Sequence, residues 1–401
     1  MKVILSANVA HYLYTAQALE WAGYLERYIC AVALQKGFHI PSLLPAFWRK
    51  KLEGRRIKGI SPHKVVSIWL SELLQNGLPR IDLLSPERAD WLNNHLYDWM
   101  ATRYIKECDV FHFVSSVGLY CARLAKAQGA IVICDVRQEH PEFQKRVLTE
   151  ENRRLGSTGG IPGISYESKV KAEFSLADFF IVPSLYAKAT FIEEGIDPDK
   201  IFVVPYGFDP DQFKPLCKND DVFRILFVGA ITPRKGVHYL VNAFSKLHLP
   251  EAELELIGQC DPSMQRLVIN RENKNFRYIT NVPKTELFKY YSNASVLVLP
   301  SIADAQPLVV LEAMACGIPV IITANCGSKD FVRDGIDGFV IPARDVEALR
   351  ERLLALYKNK SMRKEMGYQA RKRAHEFTWQ HYGRRIIEVY HEIANRSGLQ
   401  V

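Results

Sequence analysis

The 401-residue sequence has no run of apolar residues that approaches the roughly 18 needed for a membrane-spanning helix. We therefore expect no transmembrane segment. Residues 1–9 are also too short and too weakly charged for a signal peptide, and they predict a buried strand instead. These absences together predict a cytoplasmic protein.

Cysteine motifs are missing as well. The eight cysteines include no Cys-x-x-Cys pair, and most of them lie in apolar segments. Free buried thiols in a reducing compartment are expected from such cysteines, and neither a zinc site nor a disulfide framework is indicated. No other cluster of metal-ligating residue types stands out, so we predict no metal site and no cofactor.

Glycine is scarce where dinucleotide-binding enzymes need it. The end of the first predicted strand reads Ser6-Ala7-Asn8, without the Gly-x-Gly-x-x-Gly pattern, which argues against a redox Rossmann domain. The glycine-rich segment 155–163 lacks both a preceding strand and the Gly-Lys-Ser/Thr ending of a phosphate loop. We interpret it as a lid or spacer loop.

The composition is otherwise that of a globular protein, with 48% apolar and 24% charged residues, and the length favours two domains. The net charge of +8 is uneven, because segment 43–64 carries seven Lys or Arg and one Glu around Phe47 and Trp48. An anionic membrane surface, a solvated loop and nucleic acid all fit such a segment. Nucleic acid is the least favoured, and we predict no nucleic-acid partner. A protein attached peripherally to the inner face of the membrane stays an alternative.

The most informative stretch runs from 297 to 322 and predicts a strand, a loop, a helix and a second strand. Such a βαβ unit belongs to a parallel sheet, whose ligands bind beyond the carboxyl ends of the strands. The free amides at Leu308 and Val309, after Pro307, would bind an anion. Asp304 and Glu312 would flank that anion and accept hydrogen bonds from hydroxyl groups; the alternative is a surface helix with solvated carboxylates.

A second anion site is predicted after the strand at 224–228. The loop 229–236 carries Arg234 and Lys235 just before an amphipathic helix. Their charges would neutralise a diphosphate. The alternative is that both are solvated turn residues.

The spacing of Asp304 and Glu312 resembles the acidic-x7-acidic signature of the family-4 retaining glycosyltransferases, which have the two-domain GT-B fold. The tail Ala-Met-Ala-Cys-Gly-Ile-Pro-Val-Ile at 313–321 matches that family closely. The usual first Glu is Asp304 here, the following Gly is Ala305, and the usual Gly-Arg-Leu at 229–231 is Gly-Ala-Ile. The resemblance is strong over 178–380 and weak over 10–175.

The resemblance implies an α/β fold with two Rossmann-like domains that face each other across a cleft. Residues 1–207 would bind the acceptor, residues 208–376 would bind the nucleotide sugar, and the helix in 377–401 would cross back to the first domain. The implied reaction transfers a sugar from a UDP-, GDP- or ADP-sugar to a glycan or lipid-linked acceptor, as in polysaccharide biosynthesis, with retention of anomeric configuration.

The resemblance also implies site residues. The implied catalytic residues are Lys235, Arg234, Asp304 and His112, the last in a segment that matches the family's Asp-Val-x-His. The implied donor contacts are Gly229, Arg234, Lys235, Val282, Asp304, Gln306, Pro307, Leu308, Val309 and Glu312. The candidate acceptor contacts are Asn8, His11, Arg137, Glu139 and His140.

Two other classes of function stay open. A sugar-nucleotide epimerase or hydrolase of the same fold would consume the donor without an acceptor. A non-catalytic sugar-nucleotide binder is conceivable because Asn8, Ala230 and Asp304 depart from the family pattern.

Overall fold

The computed structural model describes residues 1–34, 57–70, 86–156, 164–218, 220–269 and 275–400. Most of the basic segment 43–64 and all of 157–163 lie outside these residues, so their predicted roles are not addressed by the structure. Within the described ranges, no helix combines the length and the apolar character that crossing a membrane requires.

The first half of the chain forms a parallel sheet of seven strands in the order β3-β2-β1-β4-β5-β6-β7. The strands are β1 Val3–Ala7, β2 Leu25–Cys30, β3 Val65–Ser67, β4 Val110–Val114, β5 Ile131–Asp135, β6 Phe179–Val182 and β7 Ile201–Val203. Every residue of β1 and β4 is buried, as expected for parallel strands that are covered on both faces.

The second half forms a parallel sheet of six strands in the order β10-β9-β8-β11-β12-β13. The strands are β8 Phe223–Val228, β9 Ala252–Ile257, β10 Phe276–Ile279, β11 Val296–Leu299, β12 Val320–Thr323 and β13 Gly338–Ile341. The two sheets have separate hydrophobic cores. The predicted α/β fold class with two Rossmann-like halves is confirmed.

The helices connect these strands and are numbered in chain order within the described residues. They are α1 Leu13–Trp21, α2 Pro86–Ala101, α3 Leu119–Ala127, α4 Pro141–Leu155, α5 Ile164–Leu176, α6 Leu185–Glu193, α7 Val237–Ser245, α8 Gln265–Val268, α9 Leu287–Asn293, α10 Leu308–Ala315, α11 Val346–Lys358, α12 Lys360–Ala374 and α13 Trp379–Arg396.

Helix α13 returns to the first half, as predicted. Its apolar face, including Ile386 and Tyr390, is buried in the core of the first sheet. The chain enters this crossover beside Gly207, where a Cβ atom would lie only 2.4 Å from the backbone carbon of Thr378. A residue without a side chain is therefore required where the connection between the two sheets passes the start of α13.

Candidate functional site

The candidate site lies at the carboxyl ends of β8 and β11, which pair side by side. Gly236 follows β8 with a φ of 63°, and a Cβ atom there would lie 2.1 Å from the carbonyl oxygen of Pro300. The amide of Ile302 donates to the carbonyl of Arg234 at 2.8 Å. The two loops that the sequence analysis singled out are thus packed against each other.

Two cations and one carboxylate meet where these loops touch. Lys235 forms an ion pair with Asp304, and the Arg234 Nη1 atom lies 3.9 Å from the Asp304 Oδ1 atom. Burial acts to lower the pKa of Arg234, but Asp304 and Glu139 raise it overall, so the guanidinium stays charged. Arg234 and Lys235 are therefore part of one charged cluster with Asp304 and are not solvated turn residues.

The first half of the chain contributes Glu139 to this cluster. The Glu139 carboxylate is buried, and its Oε2 atom lies 3.9 Å from Arg234 Nη1 and accepts from Gln144 Nε2 at 3.2 Å. Its Oε1 atom has no hydrogen-bond partner in the described part of the chain. Burial raises the pKa of Glu139 despite the nearby Arg234. A candidate acceptor contact therefore reaches the predicted donor loops across the junction of the two halves.

Helix α10 begins beside the same cluster. Pro307 is its N-cap, one residue earlier than the first-turn position predicted, and no side chain caps the helix. The first backbone bond is donated by Val310 to the Pro307 carbonyl at 3.2 Å. The amides of Leu308 and Val309 are thus placed to bind an anion, in a half-buried position.

Glu312 lies further along α10 and is buried. Its Oε2 atom accepts from the Tyr291 hydroxyl at 3.0 Å, and its Oε1 atom lies 3.3 Å from Lys284 Nζ. Lys284 was not predicted, although it lies two residues after Val282, an implied donor contact. Val282 itself is half-buried against the second core.

Gln306 binds the segment that connects the two sheets. Its side-chain oxygen accepts from the backbone amide of Tyr206 at 2.7 Å, and its side-chain nitrogen donates to the Tyr206 carbonyl at 3.2 Å. The amide group is buried and bound to the backbone of the segment that connects the two sheets. We therefore assign Gln306 to the junction between the halves, and its donor contact stays a prediction.

Gly229 directly follows β8 and has a φ of 146°. A Cβ atom on the neighbouring Gly258 would lie 2.0 Å from the carbonyl oxygen of Gly229. The predicted contact between Gly229 and a donor is compatible with this backbone, but the structure shows only the close packing of these two glycines.

His112, predicted to be catalytic, is fully buried. Its Nδ1 atom lies 2.6 Å from the Tyr390 hydroxyl, and its Nε2 atom lies 3.3 Å from Asp135 Oδ2. Asp135 Oδ1 also accepts from the Tyr12 hydroxyl at 2.7 Å. Because both ring nitrogens are used inside the core, His112 joins helix α13 to the first sheet, and we do not assign it a catalytic role.

His140 is also a structural residue. It is the N-cap of α4, where its Nδ1 atom accepts from the Glu142 amide at 3.3 Å. Its own amide donates to Thr190 Oγ1 at 3.0 Å, and its ring packs against Phe191. These contacts give His140 a structural role, and its contact with an acceptor stays a prediction.

The remaining acceptor candidates are Asn8, His11 and Arg137. Each has a buried polar side-chain atom for which the described residues provide no hydrogen-bond partner: Asn8 Oδ1, His11 Nε2 and Arg137 Nε. Burial, Arg137 and Lys284 lower the pKa of His11 to about 3, so its imidazole is neutral. These three side chains keep hydrogen-bonding capacity that a polar ligand could use.

No group of three or more potential metal ligands occurs among the residues that the structure describes.

Part of the chain matches a known family model and curated relatives. Residues 208–373 match the family model "Glycosyl transferases group 1". A D-inositol 3-phosphate glycosyltransferase from Paenarthrobacter aurescens is 31% identical over 227 residues, which are 52% of this chain and 55% of the relative. The chain therefore spans about half the length of the curated relatives that it matches.

Solved structures match over nearly the whole chain. Sucrose-phosphate synthase from Thermosynechococcus elongatus has a TM-score of 0.70 at 19% identity, covering 99% of this chain and 100% of that protein. The Anabaena protein HepE, in complex with UDP-glucose, has a TM-score of 0.65 at 14% identity, covering 98% of this chain and 100% of that protein. At such low identity these likenesses establish the fold.

Proposed function

We propose that the chain is a retaining glycosyltransferase, because residues 208–373 match the family model "Glycosyl transferases group 1" and the fold is of the GT-B type. It would transfer a sugar from a nucleoside-diphosphate sugar to a glycan or lipid-linked acceptor. The observation that carries the proposal is the convergence of Lys235, Arg234 and the uncapped start of α10 on one loop cluster.

The charges of this cluster suit a diphosphate leaving group. Cleavage of the anomeric C–O bond places negative charge on the departing phosphate, and preorganised donors at that point usually provide the largest part of the catalysis. Arg234, Lys235 and the amides of Leu308 and Val309 would supply those donors.

The two carboxylates would hold the sugars. Glu312 would accept hydrogen bonds from the ribose hydroxyls, and Asp304 would accept them from the hydroxyls of the transferred sugar. The acceptor would enter from the side of Asn8, His11 and Arg137, whose buried polar atoms lack partners in the described chain. We propose that the leaving phosphate itself takes the acceptor proton, so that no enzymic nucleophile is needed.

The first experiment identifies the donor nucleotide. We would measure the melting temperature with UDP, GDP and ADP, because a ligand that binds only the folded state raises it according to its affinity. UDP is the first candidate, since the Anabaena structure of the same fold contains UDP-glucose. Glucose is one of several sugars to screen in the second step.

The decisive variant is Lys235→Ala. Loss of one charge-stabilising donor should lower turnover by ~10²-fold or more. The matched control is Lys289→Ala, which removes an exposed lysine on α9 of the same half. If transfer to an acceptor is demonstrated and Lys235→Ala turns over at nearly the wild-type rate, the assignment of Lys235 to the diphosphate is wrong.

Transfer itself needs an acceptor screen. Glycan and lipid extracts and inositol 3-phosphate would be incubated with the donor, the last because the relatives that match carry that name. Mass spectrometry of the donor alone separates transfer from the epimerase or hydrolase alternative, and nucleotide binding without transfer to any acceptor would favour a non-catalytic binder.

We also propose that the basic segment 43–64 contacts an anionic membrane when the acceptor is lipid-linked. Co-sedimentation of the protein with anionic vesicles tests this proposal.

A further inference from the structure

A second cavity lies on the side of the second half that faces away from the candidate site. Its volume is about 480 Å³, and it is lined by residues that immediately precede β8, β11 and β12, among them Asp221, Ser295 and Pro319. The candidate site lies at the carboxyl ends of these strands. Because β8 has six residues and a parallel strand rises about 3.3 Å per residue, roughly 20 Å separates the two.

The wall of this cavity is strongly cationic. Five Lys or Arg side chains and two carboxylates line it, which gives a net charge of +3. These residues are Lys218, Lys360, Arg363, Lys364, Arg371, Asp220 and Asp221. The volume falls in the range of small-ligand sites, which is roughly 300–1,000 Å³.

The two carboxylates already have partners. Asp220 accepts from Arg224 Nη2 at 3.1 Å, and Asp221 pairs with Lys360 Nζ at 2.5 Å. Arg224 is not part of the cavity wall, so the negative charge of Asp220 is neutralised by a cation outside the wall. The excess positive charge therefore belongs to the side chains that remain, which are Lys218, Arg363, Lys364 and Arg371. Of these, Lys218 already donates to Ser295 Oγ at 2.8 Å and lies 3.8 Å from Asp220.

Lys364 and Arg371 are the cations available to a ligand. Both are exposed on α12, and neither has a hydrogen bond or an ion pair to the part of the chain that the structure describes. They are seven residues apart with Tyr368 between them, so the three side chains share one face of the helix. The Tyr368 side chain is 63% exposed, which leaves its ring free to contact the organic part of a ligand.

The C-terminal end of helix α10 lies at the wall and opposes anion binding, so its partial charge is compared with the charge of the side chains. Helix α10 ends at Ala315, and the following Cys316 and Gly317 line the cavity. A helix C-terminus carries about half a negative charge. The net charge of +3 from the side chains is several times larger, so the cavity attracts anions.

We propose that this cavity binds the phosphate groups of a ligand, with Lys364 and Arg371 as the principal contacts. A guanidinium can bind phosphate through two parallel hydrogen bonds, and a lysine adds a mobile positive charge. The phosphate comes either from a soluble phosphorylated compound or from a lipid headgroup. The inference is independent of the proposed glycosyltransferase activity, because it uses none of the donor-site residues.

Cys217 offers a local reporter for this cavity. It is the exposed cysteine of the eight, and its neighbours Leu216 and Lys218 both line the cavity. An environment-sensitive fluorophore attached to Cys217 would be titrated at low ionic strength with inorganic pyrophosphate. Phosphatidylcholine vesicles with and without phosphatidic acid would be titrated in parallel.

We expect a saturable fluorescence change with pyrophosphate, with the anionic vesicles, or with both. Saturation by pyrophosphate assigns a soluble ligand, and saturation by the anionic vesicles alone assigns a headgroup. The double variant Lys364→Gln/Arg371→Gln should weaken binding by at least ~10-fold, since two charge-assisted contacts are lost. The response should persist in Lys235→Ala, which separates this cavity from the proposed donor site.

The control is Arg266→Gln/Lys289→Gln, which removes the same charge from exposed positions of the same half outside the cavity. The proposal is overturned if neither probe produces a saturable change. It is also overturned if the Lys364/Arg371 variant binds like the wild type, or if the control loses as much affinity as that variant. Equal melting temperatures of the two double variants show that both are folded.

Discussion

Glu151 should be the side chain that most strongly couples the two halves of the molecule. It lies on α4 in the first half and is fully buried. Three groups from the second half donate to it: His238 Nε2 at 3.0 Å, the Tyr239 hydroxyl at 2.9 Å and Arg344 Nε at 2.7 Å. Burial acts to raise the pKa of Glu151, but the hydrogen bonds from these partners lower it overall.

Glu151→Ala would leave three donors without an acceptor, one of them the guanidinium of Arg344. Breaking a buried charged pair by removing one partner costs about 3–5 kcal/mol. A loss of 1 kcal/mol lowers the melting temperature of a unit of 150–250 residues by about 2–4 °C, so we expect a decrease of roughly 6–12 °C at the lower bound. Because the pKa of Glu151 is lowered in the folded state, this stabilisation is present above the unfolded pKa, near 4.3, and is lost as the pH falls below it.

Differential scanning calorimetry tests this expectation. The control is Glu150→Ala, because Glu150 is the adjacent residue, has a side chain that is 46% exposed and pairs with Arg154 on the same helix. Its contact with the second half is the longer distance of 3.6 Å between its Oε2 atom and Arg344 Nη2. Such surface pairs contribute at most about 1 kcal/mol. We expect Glu151→Ala to lower the melting temperature and to separate the unfolding of the two halves into two transitions. Equal effects of Glu150→Ala and Glu151→Ala at neutral pH would refute the reasoning.

Three further variants test individual assignments. Glu312→Ala should raise the donor KM more than it lowers kcat in steady-state assays, and unchanged donor binding would contradict its role at the ribose. His112→Ala should lower the free energy of unfolding by roughly 2–4 kcal/mol in urea titrations, because buried partners lose their hydrogen bonds, with little change in kcat; the opposite pattern would restore a catalytic role. Because the pKa of His11 is lowered to about 3, the unfolded chain binds more protons below pH ~6.5, and stability should fall from there towards pH 3 by up to about 1.4 kcal/mol per pH unit. His11→Gln should reduce that slope, and an unchanged slope would show that another group titrates.

The second half of the chain could be predicted in some detail because its sequence signals are local. The stretch 297–322 was expected to form strand, loop, helix and strand, and the structure has β11 at Val296–Leu299, α10 at Leu308–Ala315 and β12 at Val320–Thr323. The neighbouring loop with Arg234 and Lys235 was also expected at the carboxyl end of a strand. Loops that follow adjacent parallel strands lie at the same edge of the sheet, so their proximity follows from the fold class alone.

The roles of His112 and His140 could not be predicted, because they depend on distant partners. His112 lies in the middle of β4, and its hydrogen-bond partner Tyr390 is 278 residues away in sequence. Both faces of a parallel strand are covered, so the sequence pattern does not show which side chains reach the cleft. His140 likewise donates from its backbone amide to Thr190, which is 50 residues away in sequence.

Glu151 and Lys284 were missed for a related reason. Glu151 lies in the segment Glu-Glu-Asn-Arg-Arg, whose composition indicates an exposed helix face, whereas Glu151 is buried by contacts from the other half of the chain. Lys284 is 56% exposed along its side chain and becomes informative only through its 3.3 Å distance to Glu312. In both cases the relevant partner comes from a different element, which a single sequence cannot specify.

Contacts between the two halves position the loop that carries Asp304. These contacts are made by two adjacent residues, Ala305 and Gln306. Gln306 holds the backbone of Tyr206 through both atoms of its amide, and the carbonyl of Ala305 accepts from Ser184 Oγ at 2.6 Å. The same carbonyl is so close to Gly327 that a Cβ atom there would lie 1.6 Å from it. Asp304 directly precedes these two residues, so its position relative to Lys235 depends on the first half of the chain as well as on the second. The first half of the chain therefore contributes to the proposed donor site by fixing its loop, although its sequence resembles the family only weakly.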